Sequence, residues 1–193
     1  MKPLTRNDLL SLEAYAGERS DFRQRVLTHK KTRKVRLGEH FTLLFEDRLT
    51  IQYQIQEMLR VERIFEFEGI EDELAAYNPL IPDGNNLKAT LLIEYADPEV
   101  RKRELAKLRN VEDHIYLQVG DMDKVKAIAD EDMQRSNEDK TSAVHFMRFE
   151  LDPEMRKAWK DGVAVHLGSD HDYYGAHVKL DDAQHAALMA DFD

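Results

Sequence analysis

Two stretches of this chain follow one pattern: ATLLIEYADPEVRKRELAKLRNVEDHIYLQVGD over residues 89–121 and HFMRFELDPEMRKAWKDGVAVHLGSD over residues 145–170. Each contains an apolar segment, an Asp-Pro-Glu triplet and a second apolar segment that ends at glycine. Each triplet predicts a helix start, because aspartate caps a helix and proline fits the first helical position, where its missing N–H costs nothing. Each stretch therefore predicts a strand, a helix and a strand, with a further strand after the glycine.

Two such units predict an α+β fold with one mostly antiparallel sheet of about six strands, built from two β-α-β-β repeats. We assign the first unit to residues 88–131 and the second unit, with a C-terminal helix, to residues 142–193. Residues 1–86 are predicted to be a helical N-terminal portion that contains one strand and packs on the sheet. We expect one domain over residues 1–193. Because the two copies are unequally spaced, a coincidental similarity is the alternative to a repeat.

The N-terminal portion contains a basic stretch and a long amphipathic pattern. Seven Lys or Arg and no acid lie within residues 22–37, in a helix that we expect to begin after a break at Gly17. Residues 48–65 place apolar side chains on one helical stripe, and Glu62 lies within it. A carboxylate on an apolar stripe must be paired, protonated or used. Glu62 therefore indicates an ion pair with a neighbouring helix, a helix that leaves the core at this point, or a polar pocket or partner interface.

Composition limits the classes of function. The net charge is −10, divided into +2 over residues 1–68 and −12 over residues 69–193, which disfavours nucleic-acid binding over most of the surface. The absence of cysteine excludes disulfides, thiolate metal sites and cysteine nucleophiles. The usual phosphate-loop, dinucleotide-binding and hydrolase motifs are also absent from the sequence. No apolar run reaches the ~18–20 residues of a membrane span and no signal-peptide pattern opens the chain, so we expect a cytoplasmic protein.

The C-terminal part is enriched in histidine and aspartate. Four of the eight histidines lie in residues 166–193. Imidazole and carboxylate together suit iron, manganese or zinc, so the cofactor that we predict is a divalent metal. Surface histidines in an acidic loop are the alternative. The candidate metal ligands are His145, His166, Asp170, His171 and His177.

A second set of candidates lies on and just before the long amphipathic helix. These are charged and amide side chains, several at helical contact spacing, as expected at a partner interface or a polar pocket. With the basic stretch, they predict a surface that docks a partner in a salt-sensitive way. The candidate partner- or ligand-binding residues are Glu46, Arg48, Gln56, Glu57, Arg60, Glu62 and Arg63.

The run Gln54-Ile55-Gln56-Glu57-Met58-Leu59-Arg60 resembles an uncharacterised bacterial family, Domain of Unknown Function family 3501. Residues 4–9, 77–82 and 140–146 are similar to the same family, and the resemblance covers essentially the whole chain. The resemblance implies genomic context rather than an activity. Such proteins are expected to be encoded near rubrerythrin-like proteins and iron–sulfur oxidoreductases, which implies a role in redox or oxidative-stress physiology.

Three functions are consistent with these patterns. The leading hypothesis is a cytoplasmic accessory protein of a redox or oxidative-stress system that binds a metal through the His and Asp candidates. The first alternative is a non-catalytic interaction module that docks an iron–sulfur oxidoreductase or a rubrerythrin-like protein. The second is a small-molecule enzyme with a pocket between the repeats and Glu62 or His145 as the acid–base group. A homodimer is a further expectation, whereas a membrane partner is not expected.

Overall fold

The computed structural model of the protein describes residues 1–129 and 141–193. The strands are β1 (Lys34–Leu37), β2 (Phe41–Glu46), β3 (Asn86–Ile93), β4 (Ile115–Val119), β5 (Val125–Lys126), β6 (Ile128–Ala129), β7 (Val144–Glu150), β8 (Val165–His171) and β9 (Tyr174–Lys179). The α-helices are α1 (Leu12–Lys30), α2 (Arg48–Glu62), α3 (Phe67–Tyr77), α4 (Pro98–Lys107), α5 (Pro153–Lys160) and α6 (Asp182–Met189). The end of the first predicted unit, residues 130–131, lies outside the described residues.

The strands form two antiparallel sheets. Sheet A has the order β1-β2-β3-β7-β6, and sheet B has the order β5-β4-β8-β9. β3 pairs with β7 in sheet A and β4 pairs with β8 in sheet B, so strands from the two predicted units are neighbours in both sheets. The α+β class and the antiparallel pairing are confirmed. The strands are divided between two sheets, however, where one sheet of about six strands was predicted.

The chain also crosses from one sheet to the other at Ala127. Residues 125–128 have the composition of one strand, but β5 belongs to sheet B and β6 to sheet A. Between them, Ala127 is buried and donates its N–H to the carbonyl oxygen of Ile115 at 2.8 Å. Strands of two residues are too short to show a period of two, so the sequence pattern gives no sign of the crossing.

The facing sides of the two sheets share one hydrophobic core. Alternate side chains of each strand enter it, because successive side chains of a strand point to opposite faces. Trp159 of α5 and Leu188 of α6 are fully buried members of the same core. Fully buried side chains from the sheets include Leu43, Leu91, Leu117 and Leu167.

The N-terminal helices α1 and α2 lie side by side in opposite directions, since Tyr15 contacts Glu57 whereas His29 contacts Asp47. α1 passes through Gly17, where a break was predicted. The buried packing of its aromatic side chains outweighs the low helix propensity of one glycine, about 1 kcal/mol.

The basic stretch is helical only in part, because residues 34–37 form β1. Val35 and Leu37 enter the core from this strand, while Lys34 and Arg36 are exposed. Residues 1–86 therefore hold two strands, β1 and β2, where one was predicted.

α2 ends at Glu62, three residues before the predicted end. Arg63 takes a left-handed conformation with φ 57° and closes the helix. Ile51 and Ile55 are buried as the stripe predicts, but Phe65 is 70% exposed and Glu62 is exposed. Glu62 therefore does not project from a core-facing stripe; the alternative that the helix leaves the core at this point agrees with the structure, because α2 stops before the stripe is complete.

Residues 168–175 are almost entirely strand. β8 continues to His171, and the chain turns through Asp172 and Tyr173 into β9. Strand alternation then decides the side-chain directions: His171 is buried, whereas Asp170 points away from the core. None of the described helices has the length and apolar composition needed to cross a membrane.

Candidate functional site

Asp170 is the centre of an ionic cluster on the outer face of sheet B. Its Oδ1 lies 3.1 Å from His114 Nδ1 and 2.5 Å from Lys126 Nζ, and its Oδ2 lies 3.5 Å from Lys124 Nζ. The hydrogen bond from Lys126 is the main cause that lowers the pKa of Asp170 to about 2. The carboxylate is therefore ionised, and both of its oxygens already contact basic groups.

Tyr116 lies flat against β8 beside this cluster. A Cβ atom at Gly168 would come within 2.2 Å of the Tyr116 ring, so only glycine fits there. Lys124 Nζ lies 4.0 Å from the centre of the same ring, a cation–π distance. Gly168 was predicted to end a strand. It is instead the point in the middle of β8 where an aromatic ring meets the backbone.

His166 and His177 form a stacked pair on the same outer face. Their ring centroids are 4.9 Å apart and their planes are inclined by 11°. Burial and then the neighbouring His177 lower the pKa of His166, which favours the neutral imidazole.

His171 points to the opposite side of the strand and uses both ring nitrogens. Its Nδ1 accepts the backbone N–H of Tyr173 at 3.2 Å, and its Nε2 lies 3.1 Å from the carbonyl oxygen of Arg109. A carbonyl only accepts, so Nε2 carries the proton. The imidazole of His171 thus links the end of β8 to the residues after α4 by a hydrogen bond.

His145 belongs to sheet A and is fully buried. Its Nε2 lies 2.8 Å from the hydroxyl of Thr141 and 3.0 Å from the carbonyl oxygen of Ser142. The Thr141 hydroxyl donates to Glu112 Oε2 at 3.0 Å. These contacts form a buried series of hydrogen-bonded polar groups at the start of β7.

The five predicted metal ligands thus lie in four places: the Asp170 cluster, the stacked pair His166 and His177, the buried His171 and the buried His145. Within residues 1–129 and 141–193, no three His, Asp or Glu side chains meet in an arrangement that would hold a metal ion. Metal binding stays a prediction.

Two of the predicted partner-binding residues hold the N-terminal helices together. The Gln56 side chain is buried and pairs with the backbone of Leu10, accepting its N–H at 2.6 Å and donating to its oxygen at 3.3 Å. Glu57 accepts the Tyr15 hydroxyl at 2.6 Å and binds Arg19 through both oxygens at 2.8 Å. Hydrogen bonds from Arg19 and Tyr15 outweigh partial burial and lower the pKa of Glu57 to about 2.

Glu46 and Arg48 also have partners within the chain. Glu46 is buried and accepts the hydroxyl groups of Thr50 at 2.6 Å and Thr90 at 3.1 Å. Arg48 forms a 2.6 Å ion pair with Asp8. Both residues therefore fix the start of α2 to its surroundings.

A buried ionic network around Arg33 was missed by the sequence analysis. Arg33 is 2% exposed, pairs with Asp191, and lies 3.5 Å from Asp47. It also donates to the carbonyl oxygens of Phe45, Glu46 and Ala187, each at 3.1 Å. In the sequence, Arg33 is one of the seven Lys or Arg residues of the basic stretch, and no local pattern sets it apart from the other six.

The two acids of this network differ in their pKa values. Burial raises the pKa of Asp191, and Arg33 offsets this only in part. The pKa of Asp47 is lowered, because Arg33, the Thr50 N–H and His29 together outweigh the effect of burial. His29 Nε2 lies 2.5 Å from Asp47 Oδ2. The network joins the ends of α1, β2 and α6.

Two surfaces are left exposed by these internal contacts. The first, which we call the apolar corner, is formed by Val61, Phe65 and Phe67 where α2 passes into α3, with exposures of 64%, 70% and 60%. Three predicted partner-binding residues, Arg60, Glu62 and Arg63, are exposed beside it.

The second surface, which we call the basic patch, lies where α1 passes into β1. Its centre is Leu27, which is 44% exposed. The patch consists of Arg23, Leu27, Lys30, Lys31 and Lys34. Within the described part of the chain, none of its cations forms an ion pair.

A sequence profile for a family of proteins of unknown function, DUF3501, matches residues 3–192. The chain belongs to the DUF3501 family. A crystal structure of a protein of unknown function from Burkholderia pseudomallei K96243 is similar over the whole length of both chains, with 50% identity and a TM-score of 0.94. The family expected from the sequence is therefore confirmed, and it is a family of unknown function. No curated protein matches the DUF3501 chain.

Proposed function

We propose that this protein is a non-catalytic interaction module that binds the acidic surface of a partner protein through the basic patch. The supporting observation is the exposure of Leu27 between Arg23, four residues before it, and Lys30 and Lys31, three and four residues after it. Residues at these spacings are neighbours on a helix surface. An exposed apolar side chain within a charged rim is typical of a protein interface with a desolvated centre.

The position of these lysines has a second, purely structural explanation. Lys30 and Lys31 lie at the C-terminus of α1, where cations interact favourably with the helix dipole. That interaction explains why cations occur there. It does not explain the exposed leucine between them or the continuation of the patch to Lys34 on β1.

Charge favours a protein over a nucleic acid as the partner. The chain has a net charge of −10, so a long polyanion that extended beyond the patch would meet an acidic surface. The patch also has no aromatic side chain on which bases would stack. A compact acidic surface with an apolar side chain at its centre needs only to cover the patch.

The proposal uses one of the two predicted docking regions. Sequence placed the basic stretch and the Arg60–Arg63 region in a single docking surface. Since α1 and α2 run in opposite directions and α1 has 19 residues, about 28 Å, the basic patch and the apolar corner lie at opposite ends of the helix pair. The partner proposed here contacts the patch.

Site-specific cross-linking tests this proposal. A photoreactive benzoylphenylalanine at position 27 should cross-link in cells to one acidic protein, identified by mass spectrometry. The same group at position 173 is the control, because Tyr173 is 71% exposed and lies in the β8–β9 turn, outside the patch. Cross-links from position 27 to nucleic acid, or no cross-link above the control, would overturn the proposal.

The purified partner then allows the charge to be tested. The double substitution Lys30→Glu and Lys31→Glu should weaken binding at least tenfold, and added salt should weaken wild-type binding. The control Arg101→Glu with Lys102→Glu makes the same charge change at exposed positions of α4 and should leave the affinity unchanged. Equal affinities for the wild type and the patch variant would contradict the proposal. The iron–sulfur or rubrerythrin-like partner suggested by the resemblance is a proposal within this class, and the cross-linked protein identifies it.

A further inference from the structure

The apolar corner is a concentrated exposure of apolar side chains. Of the seven large apolar side chains strongly exposed in the described residues, Val61, Phe65 and Phe67 fall within seven consecutive positions. A single exposed apolar residue such as Leu27 gains significance only from the cations around it, whereas a contiguous apolar group by itself marks an interaction surface. The left-handed cap at Arg63 produces this group, because it ends α2 and turns Phe65 away from the helix stripe.

A groove adjoins the corner and has an apolar lining. Its volume is about 280 Å³, and Phe65 forms part of its wall. Arg6 and Ser11 are its polar lining residues, and the Arg6 guanidinium lies 5.4 Å from the centre of the Phe67 ring. The other apolar lining residues are Leu9, Leu10, Leu12, Leu59, Ile64 and Ile70. The molecule therefore presents protruding phenyl rings and an apolar groove side by side.

The charges beside the corner have both signs. Arg60 and Arg63 are exposed, and so are Glu62, Glu66 and Glu68, so basic and acidic side chains are interspersed along residues 60–68. A partner with charges of one sign would be repelled by part of this rim. A second copy presents the same mixed rim, so a two-fold arrangement can place basic groups of each chain opposite acidic groups of the other.

We propose that the apolar corner is the interface of a symmetric homodimer, in which the phenyl rings of each copy enter the groove of the other. The occupant of the corner is a second copy of this chain. The inference goes beyond the proposed function, because it concerns the other end of the α1–α2 pair and leaves both basic patches free. A dimer thus presents two partner-binding surfaces, and dimerisation does not depend on whether the partner exists.

The molar mass in solution tests the dimer. The wild type, measured by light scattering at about 50 µM, should have twice the 22.5 kDa mass of the chain. The variant Phe65→Ser with Phe67→Ser should have the mass of one chain and retain the wild-type circular dichroism, since both side chains are exposed. The control Tyr173→Ser removes an aromatic ring with 71% exposure elsewhere and should remain dimeric. A monomeric wild type, or a dimeric double-serine variant, would overturn the inference.

Charge reversal tests the two-fold symmetry without changing apolar residues. Arg60→Glu with Arg63→Glu should be monomeric, and so should Glu62→Arg with Glu66→Arg, because each variant then has like charges on both sides of the interface. An equimolar mixture of the two variants should form a heterodimer. If the wild type is dimeric but the mixture remains monomeric, the dimer uses another surface and the inference fails.

Discussion

The Arg33 network and the Asp170 cluster contain the same kinds of group and differ in burial. Arg33 and Asp191 are each 2% exposed, whereas the side chains of Asp170, Lys124 and Lys126 are about 40% exposed. In the buried network, a removed partner leaves a charge without water or counter-ion. On the outer face of sheet B, water replaces a lost partner. Burial, rather than the number of ion pairs, therefore decides which network holds the fold together.

The largest expected effect comes from breaking the buried network. Arg33→Ala should lower the free energy of unfolding by about 3–5 kcal/mol, because it leaves the Asp191 carboxylate buried without its cation and leaves Asp47 with His29 alone. Urea denaturation measures the loss. Arg23→Ala is the matched control at an exposed arginine and should change stability by no more than about 0.5 kcal/mol. A loss below about 1 kcal/mol for Arg33→Ala would mean that burial does not distinguish the two networks.

Glu57 has intermediate exposure and should have an intermediate effect. Glu57→Gln weakens the contacts with Arg19 and Tyr15 and should cost about 1–2 kcal/mol at pH 7. The pKa of Glu57 is lowered from 4.5 to about 2, so its contribution is complete above pH 4.5 and is lost as the pH falls toward 2. As the pH is lowered from 4.5 toward 2, the free energy of unfolding should therefore fall less steeply in Glu57→Gln than in the wild type. The exposed Glu66→Gln should follow the wild-type curve, and identical curves for all three proteins would contradict this assignment.

Asp170→Asn should have a small effect despite its three basic neighbours. We expect a loss of about 0–1 kcal/mol, because all of the groups are exposed to solvent. Thermal unfolding at low salt and at about 0.5 M salt measures it, and the difference between the two proteins should shrink at high salt. A loss as large as that of Arg33→Ala would show that this cluster is coupled to the core.

The stacked histidines should produce the smallest effect, visible as a pH dependence. Because the pKa of His166 is lowered from 6.5, the unfolded chain binds a proton there more readily than the folded chain. The stability from this group is complete above pH 6.5 and falls as the pH drops below that value. His177→Gln removes the neighbouring imidazole and should flatten this fall between pH 7 and pH 5. If the free energy of unfolding changes with pH in the same way in the variant and the wild type, His177 does not influence the pKa of His166.

Local patterns were sufficient to predict much of the fold. Asp47, Asp97, Asp152 and Asp181 each cap the helix that was predicted to follow, because an aspartate cap depends only on residues nearby in the chain. The burial of Ile51 and Ile55 followed from helical period in the same way. The end of α2 did not, since Arg63 is a left-handed residue that is neither glycine nor asparagine.

The candidate site was harder to predict because it depends on the direction of side chains and on distant partners. β8 extends a few residues further than predicted and includes both Asp170 and His171. Because adjacent residues of a strand point to opposite faces, these two side chains lie on opposite sides of sheet B. Arg33 is buried because Asp191, 158 residues away, meets it. No local pattern distinguishes Arg33 from the exposed cations around it.

The same 158-residue separation has a consequence for synthesis on the ribosome. α1 and α2 are close in sequence and can pair early, but the guanidinium of Arg33 lacks Ala187 and Asp191 until those residues emerge. Until then, burying Arg33 is unfavourable, and the junction of α1 with β1 is expected to stay hydrated. Stalled chains that end before residue 187 should therefore remain sensitive to protease near Arg33. During synthesis, the junction of α1 with β1 would therefore be the last part to pack, long after the residues on its N-terminal side have been made.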